Sequence, residues 1–225
     1  MTNRLMRLGA ALTLLILAGC ATSRPPDLVY LGDVKLEPVP GSRSMRAWST
    51  RPGVLGDYHA FLLEPVIVSL GKAETPEKEA SAEELKSLGE HLLLAFATEL
   101  KSGGYTVVDV PGKGVLRVRA ALTELVPVDP AKNVAAKVVG SVVGVGLFIP
   151  TVDIGHAAIE VEMRDSVSDA RVAAFSDRKA GRGYFNGLRP YRRWGDVESA
   201  FADWAREFRA RLDQIHGTNA SAGTK

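Results

Sequence analysis

The clearest chemical signal in the chain comes from its single cysteine, Cys20. It ends the run Leu17-Ala18-Gly19-Cys20, where small residues precede a thiol whose thiolate is nucleophilic enough to form a thioether with a lipid. Before it, Arg4 and Arg7 precede an uncharged run of about eleven residues, Leu8 to Ala18, which is typical of a secretory signal. A spanning helix needs about 20 apolar residues, so this run is too short to be a permanent anchor.

The sequence around Cys20 resembles the lipobox of bacterial lipoproteins, which implies that cleavage leaves Cys20 as the first residue with diacylglycerol on its sulfur. Each buried CH₂ contributes about 0.8 kcal/mol, so two or three acyl chains anchor a protein stably. In lipoprotein sorting, the resemblance implies, Asp after the cysteine favours the inner membrane, whereas Ala21 and Thr22 follow here. We therefore expect a periplasm-facing protein attached by its lipid to the outer membrane. The alternative is a buried thiol behind an ordinary secretory signal.

Asp57-Tyr58-His59 is the nearest approach to an acid–base cluster. Adjacent residues do not easily form a triad with one another, and no G-x-S-x-G nucleophile motif accompanies them. We therefore expect a turn in which Asp57 caps a backbone amide and Tyr58 packs.

Glu160 and Glu162 alternate along a predicted strand and lie on one face, as paired hydrolytic carboxylates would. Arg117 and Arg119 alternate in the same way on another strand. If the two strands pair, we expect cross-strand ion pairs among these four residues on the solvated side of the sheet. A hydrolase centred on Asp57 and His59, or on Glu160 and Glu162, is the third functional hypothesis.

Metal, cofactor and nucleic-acid functions have little support in the sequence. The four histidines, His59, His91, His156 and His216, fall in no metal-ligand motif, and we expect structural or solvated roles for them. Without Arg4 and Arg7, 26 basic residues face 26 acidic ones, and a neutral chain is not a general nucleic-acid binder. We expect no enzyme activity, no cofactor, no metal and no nucleic-acid partner.

Residues 134–150 form an apolar segment with one charge, Lys137, and small residues at Ala136, Gly140 and Gly144. This small-x-x-x-small spacing lets helices approach closely in a membrane, but the segment is too short to span as a straight helix. It is either buried in the domain or contacts a partner or the membrane. In the second case the contact residues are Val138, Val139, Val142, Val143, Leu147 and Phe148.

Basic residues with interleaved aromatic residues run from Arg178 to Trp194. In the periplasm the available anions are lipid phosphates, lipopolysaccharide and peptidoglycan carboxylates. The candidate anion contacts are Arg189, Arg192 and Arg193, and the alternative is a loop with packed aromatics and solvated arginines.

Hydrophobic periodicity indicates the elements that must position these groups. Ser81 and Glu84 form a capping box before an apolar helical stripe that ends at Gly103-Gly104, and a second helix should run from near Asp196 to Gly217. The remaining patterns predict strands at 65–70, 105–110, 115–126, 157–164 and 171–176, the last two forming a hairpin.

The order β-α-β-β-(apolar insert)-β-β-α predicts an α+β fold in which two helices pack on one face of a mostly antiparallel sheet of about five strands. We expect a signal peptide at 1–19, a lipidated N-terminus and tether at 20–52, one domain at 53–217 and a disordered tail at 218–225. The alternation of Leu28, Tyr30, Val34 and Leu36 suggests that part of the tether docks on the domain.

Several blocks of sequence together resemble the bacterial lipoproteins grouped as domain of unknown function 3313. They are P-G-V-L-G-D-Y-H-A-F at 52–61, V-P-G-K-G-V-L-R-V-R-A-A-L-T-E at 110–124, G-H-A-A-I-E-V-E-M-R-D-S at 155–166, D-R-K-A-G-R at 177–182 and W-G-D with A-F-A-D-W-A at 194–205. The resemblance covers roughly residues 50–214 and implies a periplasm-facing lipoprotein with no established activity.

Our leading hypothesis is a non-enzymatic lipoprotein that serves as an adaptor or accessory subunit of an envelope assembly. The second hypothesis is a binding module for an anionic envelope component: peptidoglycan, lipopolysaccharide or phospholipid.

Overall fold

An eight-stranded mixed sheet organises the part of the chain that the computed structural model describes, which is residues 28–69, 80–128, 155–180 and 192–222, with side chains to residue 217. A 3-10 turn at Val54–Asp57 joins β2 to β3. In chain order the strands and helices are β1 (Glu37–Pro38), β2 (Arg46–Ser49), β3 (Ala60–Leu63), β4 (Ile67–Val68), α1 (Ala82–Ser102), β5 (Thr106–Val107), β6 (Val115–Val126), β7 (His156–Asp165), β8 (Arg171–Ala180) and α2 (Gly195–Ala222).

The strands lie in the order β1-β2-β8-β7-β6-β3-β5, and β4 also pairs with β6. The long strands β6, β7 and β8 are antiparallel, whereas β3 and β4 pair in parallel with β6, and β5 in parallel with β3. Parallel neighbours need a crossover connection, and α1 supplies it, because it follows β3 and β4 in the chain and precedes their parallel partners β5 and β6. The α+β class is therefore confirmed, but the prediction of a mostly antiparallel sheet of about five strands is wrong.

Helix α1 begins and ends where its local sequence predicts. The Ser81 hydroxyl accepts a hydrogen bond from the Glu84 N–H, and the Glu84 carboxylate accepts one from the Ser81 N–H. The helix ends at Ser102, and Gly104 follows with φ of +82°, a left-handed conformation that glycine adopts without penalty. The buried stripe of α1 is Leu88, Leu92, Phe96 and Leu100.

Helix α2 continues past Gly217 to Ala222, so the prediction that Gly217 ends it is wrong. Glycine in a helix interior costs about 1 kcal/mol relative to alanine, which weakens a helix without ending it. Residues 218–222, assigned above to a disordered tail, belong to this helix.

The two faces of the sheet are covered differently. On one face, alternate residues of β7 share a core with both helices; they are Ala157, Ile159, Val161 and Met163. On the other face, Leu31 and Leu36 of the N-terminal segment (residues 28–36) pack against Ala174 of β8 and the half-buried Trp48. This packing, together with β1 and β2, makes residues 28–52 part of the fold, and the predicted tether is correspondingly shorter.

Candidate functional site

A buried carboxylate at the centre of the sheet holds the start of the described chain. Glu160 on β7 is only 2% exposed. Its Oε1 accepts a hydrogen bond from the Val29 N–H at 2.8 Å, and its Oε2 accepts from the N–H groups of Tyr30 and Leu31 at 2.9 and 2.7 Å. Three consecutive backbone donors therefore converge on one side chain from about 130 residues away, an arrangement we call the Glu160 clasp.

The local sequence explains both halves of the clasp. Alternation along β7 turns Glu160 away from the helices, toward the face that the N-terminal segment covers. Directly after Leu31, Gly32 has φ of +63°, a conformation that glycine adopts readily and that bends the chain away from the carboxylate. Hydrogen bonds between a carboxylate and backbone N–H groups are stronger than bonds between neutral groups. The clasp therefore adds directional polar contacts to the non-directional packing of the small apolar cluster that contains Leu31 and Leu36.

Glu162, two residues further along β7, lies in a network of arginines. Arg164 and Arg171 donate hydrogen bonds to it, and Arg119 on β6 lies 4.0 Å away. Burial raises the pKa of this carboxyl, but the hydrogen bonds from Arg164 and Arg171 outweigh burial and lower the pKa overall. The network continues to Glu64, which pairs with Arg119 at 2.8 Å.

The two strands that carry these charges do pair, but the solvated environment predicted for Glu160 and Glu162 is wrong, because these residues are only 2% and 5% exposed. Arg119 faces Glu162 across β6 and β7, whereas Arg117 lies opposite Arg164 and Glu160 lies opposite Ala121. Glu160 therefore has no arginine opposite it, and the N-terminal segment covers it.

The structure separates the members of the Asp57-Tyr58-His59 candidate. Asp57 ends the 3-10 turn and forms an ion pair with Arg51. Tyr58 is buried in the core, as predicted, and its hydroxyl donates a hydrogen bond to Asp165 at 3.3 Å. The His59 ring packs at a tilt against a histidine on another element, so the three side chains do not converge as an acid–base relay would require.

The residue that His59 contacts is His216 near the end of α2, with ring centroids 4.3 Å apart. Burial lowers the pKa of His216, and the neighbouring His59 lowers it further, so the neutral imidazole is favoured. Tyr105 adjoins the pair and donates its hydroxyl to Asp213 at 2.9 Å. The sequence alone does not indicate this cluster, because its members come from three separate parts of the chain.

Two of the three candidate anion contacts, Arg192 and Arg193, are described, and both are engaged with acidic groups of the chain itself. Arg192 pairs with Glu198 at 3.1 Å, and Arg193 pairs with Glu84 at 2.7 Å while lying over the Trp194 ring. An external anion would compete with these carboxylates. The anion contact stays a prediction.

Other predicted site residues lie outside the described part of the chain. They are Cys20, Arg189, Val138, Val139, Val142, Val143, Leu147 and Phe148, together with the whole 134–150 segment. Among the residues that are described, no helix combines the length and the apolar character that a membrane crossing requires.

A cavity of about 250 Å³ opens on the helix side of the sheet. Its walls come mainly from α2, β2, β8 and the 3-10 turn, and its largest apolar side chains are Trp48, Trp204, Phe175 and Phe208. Two arginines, Arg51 and Arg211, complete the lining, which contains no acidic residue. The cavity is not evident in the sequence, because its lining residues follow the ordinary patterns of their own strands and helix.

Comparison with known proteins gives one family match. The model of the family described as "Protein of unknown function (DUF3313)" matches residues 30–208. No curated protein matches the sequence.

Several solved structures resemble the chain. The PelC dodecamer from Paraburkholderia phytofirmans is 13% identical with a TM-score of 0.41, and the match covers 72% of this chain and 96% of that one. A DUF4136 family protein from Bacteroides thetaiotaomicron is 11% identical with a TM-score of 0.40 over 76% and 96% of the two chains. A minor lipoprotein from Acinetobacter baumannii is 9% identical with a TM-score of 0.32 over 72% and 95%.

Proposed function

The chain belongs to the DUF3313 family of proteins of unknown function, and from this premise we propose that it is a non-enzymatic lipoprotein of the bacterial envelope. In this proposal a lipid on Cys20 attaches it to the outer membrane, where it faces the periplasm as an adaptor or accessory subunit of an envelope assembly. The family description names no activity, so support for the proposal comes from the chain's own residues.

The observation that carries the proposal is the Glu160 clasp. It ties Val29, Tyr30 and Leu31 to the central strand, nine residues after the predicted attachment point at Cys20. Nine residues span at most about 30 Å when fully extended, against about 100 Å for a tether that reached residue 52. A lipid at Cys20 would therefore hold the sheet close to the membrane surface, as suits a subunit that docks on membrane-bound partners.

The non-enzymatic part of the proposal is supported by the use that the fold makes of its candidate catalytic groups. Asp57 is paired with Arg51, Glu162 with Arg164 and Arg171, and the Glu160 carboxylate with backbone amides. A general base needs a carboxylate or imidazole within hydrogen-bond reach of a substrate proton. These carboxylates are instead committed to contacts that hold strands and segments together.

Lipidation is tested by changing the thiol in cells that express the full chain. Cys20→Ala should remove the thioether-linked lipid, measured by mass spectrometry of the intact protein, and should leave the leader uncleaved. Ser23→Ala is the matched control, a single-atom change three residues away that should leave both lipid and cleavage unaltered. A wild-type protein without the lipid mass would refute the anchor.

Membrane choice is tested separately. Ala21→Asp should move the lipoprotein from the outer to the inner membrane fraction on density-gradient separation, because the resemblance to sorted lipoproteins implies that Asp after the cysteine favours retention. A wild-type protein already in the inner membrane fraction would contradict the outer-membrane assignment while leaving the lipid anchor intact.

The adaptor role is tested by crosslinking in intact cells. We expect wild-type protein to form crosslinked species with envelope proteins, and Cys20→Ala protein to lose most of them, because the lipid concentrates the domain at the membrane. Recovery of uncrosslinked monomer alone from wild-type cells would contradict the adaptor role.

A further inference from the structure

The cavity described above combines an apolar interior with a cation that has no partner in the described part of the chain. Arg51 is held by Asp57, but Arg211 makes no hydrogen bond or ion pair with any described residue. Arg211 is half-buried on α2 and lines the cavity. A guanidinium in this position can form two parallel hydrogen bonds with a carboxylate or a phosphate.

The remainder of the lining indicates what should be attached to such an anion. Met45, Val54, Phe175 and Phe208 present carbon atoms to the cavity and are themselves buried in the core. Two polar groups of the lining are already engaged: the indole N–H of Trp204 is donated to Asp177 at 2.8 Å, and the Ser49 hydroxyl to the Arg51 carbonyl at 3.2 Å. An apolar cavity of about 150 Å³ is large enough to bind a benzene molecule, and this one has about 250 Å³.

The order of residues along α2 gives the cavity a direction. Trp204, Phe208, Arg211 and Ile215 follow one stripe of the helix at spacings of four, three and four residues. Trp204 is 1% exposed and marks the inner end, whereas Arg211 lies about 10 Å further along the axis at the helical rise. An apolar chain can therefore extend toward Trp204 while its charged end stays beside Arg211.

We propose that this cavity binds one acyl chain whose anionic head group pairs with Arg211. The charge of the lining favours an anionic amphiphile, because Arg211 has no acidic partner among the described residues and no acidic residue lines this mostly apolar cavity. A carboxylate and a phosphate head group can both accept two hydrogen bonds from the Arg211 guanidinium. Separate probes therefore distinguish a fatty acid ligand from a phospholipid ligand. The site adds a ligand to the proposed envelope lipoprotein and uses neither Cys20 nor Glu160.

Photolabelling of the full-length protein in its membranes tests the site. The probes are three diazirine-bearing alkyl chains of equal length that end in a carboxylate, a phosphate or an alcohol. We expect one or both anionic probes to label peptides from α2 and β2, with competition by dodecanoate or dodecyl phosphate respectively, and the alcohol to label them at least tenfold less. The stronger anionic probe identifies the source of the ligand.

Two variants address the two halves of the site. Ala47→Leu on β2 fills the cavity and should reduce labelling by both anionic probes at least tenfold. Arg211→Gln should reduce labelling by the anionic probes to the level of the alcohol, and because it alters a half-exposed side chain, it remains informative if the core variant fails to fold. Arg206→Gln is the matched control, since Arg206 lies on the same helix, pairs with Asp203 and does not line the cavity.

Four results would overturn the proposal. Labelling spread over other surfaces, or unchanged in folded Ala47→Leu protein, would exclude the cavity as the binding site. Equal labelling by the alcohol, or full labelling of Arg211→Gln, would exclude recognition of an anion. The Cys20→Ala experiment is read by lipid mass and fractionation, so failure of the anchor and failure of this site are distinguishable.

Discussion

Replacing Glu160 with glutamine tests whether its carboxylate holds the N-terminal segment. The change keeps the size of the side chain but turns one acceptor oxygen into an NH₂ donor. The favourable rotamer keeps the amide oxygen at the Oε2 position, where it still accepts from Tyr30 and Leu31, and turns the NH₂ group toward the Val29 N–H. One charge-assisted bond, worth about 1.5–3 kcal/mol, is then lost.

The exposure of Val29 determines how much of this hydrogen-bond free energy is lost in the Glu160→Gln protein. Val29 is 48% exposed, so its N–H can recover a hydrogen bond from water once the segment loosens. We therefore expect docking of the N-terminal segment to weaken by about 2 kcal/mol. Because 1.4 kcal/mol corresponds to a factor of ten, amide protection at Val29, Tyr30 and Leu31 should fall about 30-fold.

Hydrogen exchange followed by mass spectrometry measures this change. The loss should be confined to the N-terminal segment, because the β7 amides are paired with β6 and β8 and open only when the sheet does. Glu37→Gln is the matched control: Glu37 is exposed on β1 and contacts Lys35, so its change should stay within about 0.5 kcal/mol. Unchanged protection at residues 29–31 in the Glu160→Gln protein would refute the clasp, as would an equal loss at β7.

Further substitutions test the N-cap of α1, two glycines, and the stability of the folded protein at alkaline pH. Ser81→Ala should cost about 1 kcal/mol in urea unfolding by removing the N-cap of α1, and the mid-helix change Ser87→Ala should cost nothing. Gly155→Ala should cost about 1–3 kcal/mol, because its Cβ would lie 2.8 Å from a backbone oxygen of β6; Gly217→Ala has open space and should raise the thermal midpoint. Burial and a hydrogen bond to a carboxylate raise the pKa of Tyr105 from 10.0 to about 12. The folded state thus favours the neutral phenol, and this contribution is present below pH 10.0 and lost as the pH rises toward 12. Unfolding free energies measured across that window should fall less in Tyr105→Phe than in the wild type.

The elements that sequence analysis located well are those whose signals are local. Strand β6 matches its predicted bounds, and α1 has both halves of the predicted capping box, because alternation and capping depend on residues a few positions apart. The strands β1, β2 and β3 have two to four residues each, too few to show a period, and they form only by pairing with distant partners. Parallel pairing was missed for the same reason, since it is set by the crossover through α1.

The candidate sites also depend on contacts between distant segments, which the local sequence pattern does not indicate. In sequence, Glu160 and Glu162 are equivalent, because alternation reports which face of β7 a residue occupies but not what covers that face. The cover over Glu160 comes from residues about 130 positions earlier, while Glu162 contacts neighbouring arginines. Arg211 likewise resembles any polar residue of an amphipathic helix, and only the tertiary packing of β2 and the 3-10 turn places it beside an apolar cavity.

A buried charge at the clasp fixes the register of the N-terminal segment in a way that apolar contacts could not. Leu31 and Leu36 would tolerate small slips, since hydrophobic contact is non-directional. A slip of the segment would instead withdraw N–H donors from a carboxylate that is 2% exposed, and leaving a buried charge without partners costs several kcal/mol. One side chain on β7 therefore fixes the point at which the chain joins the sheet, nine residues after Cys20. An insertion before residue 28 would lengthen the link to the proposed lipid anchor without altering the fold that follows.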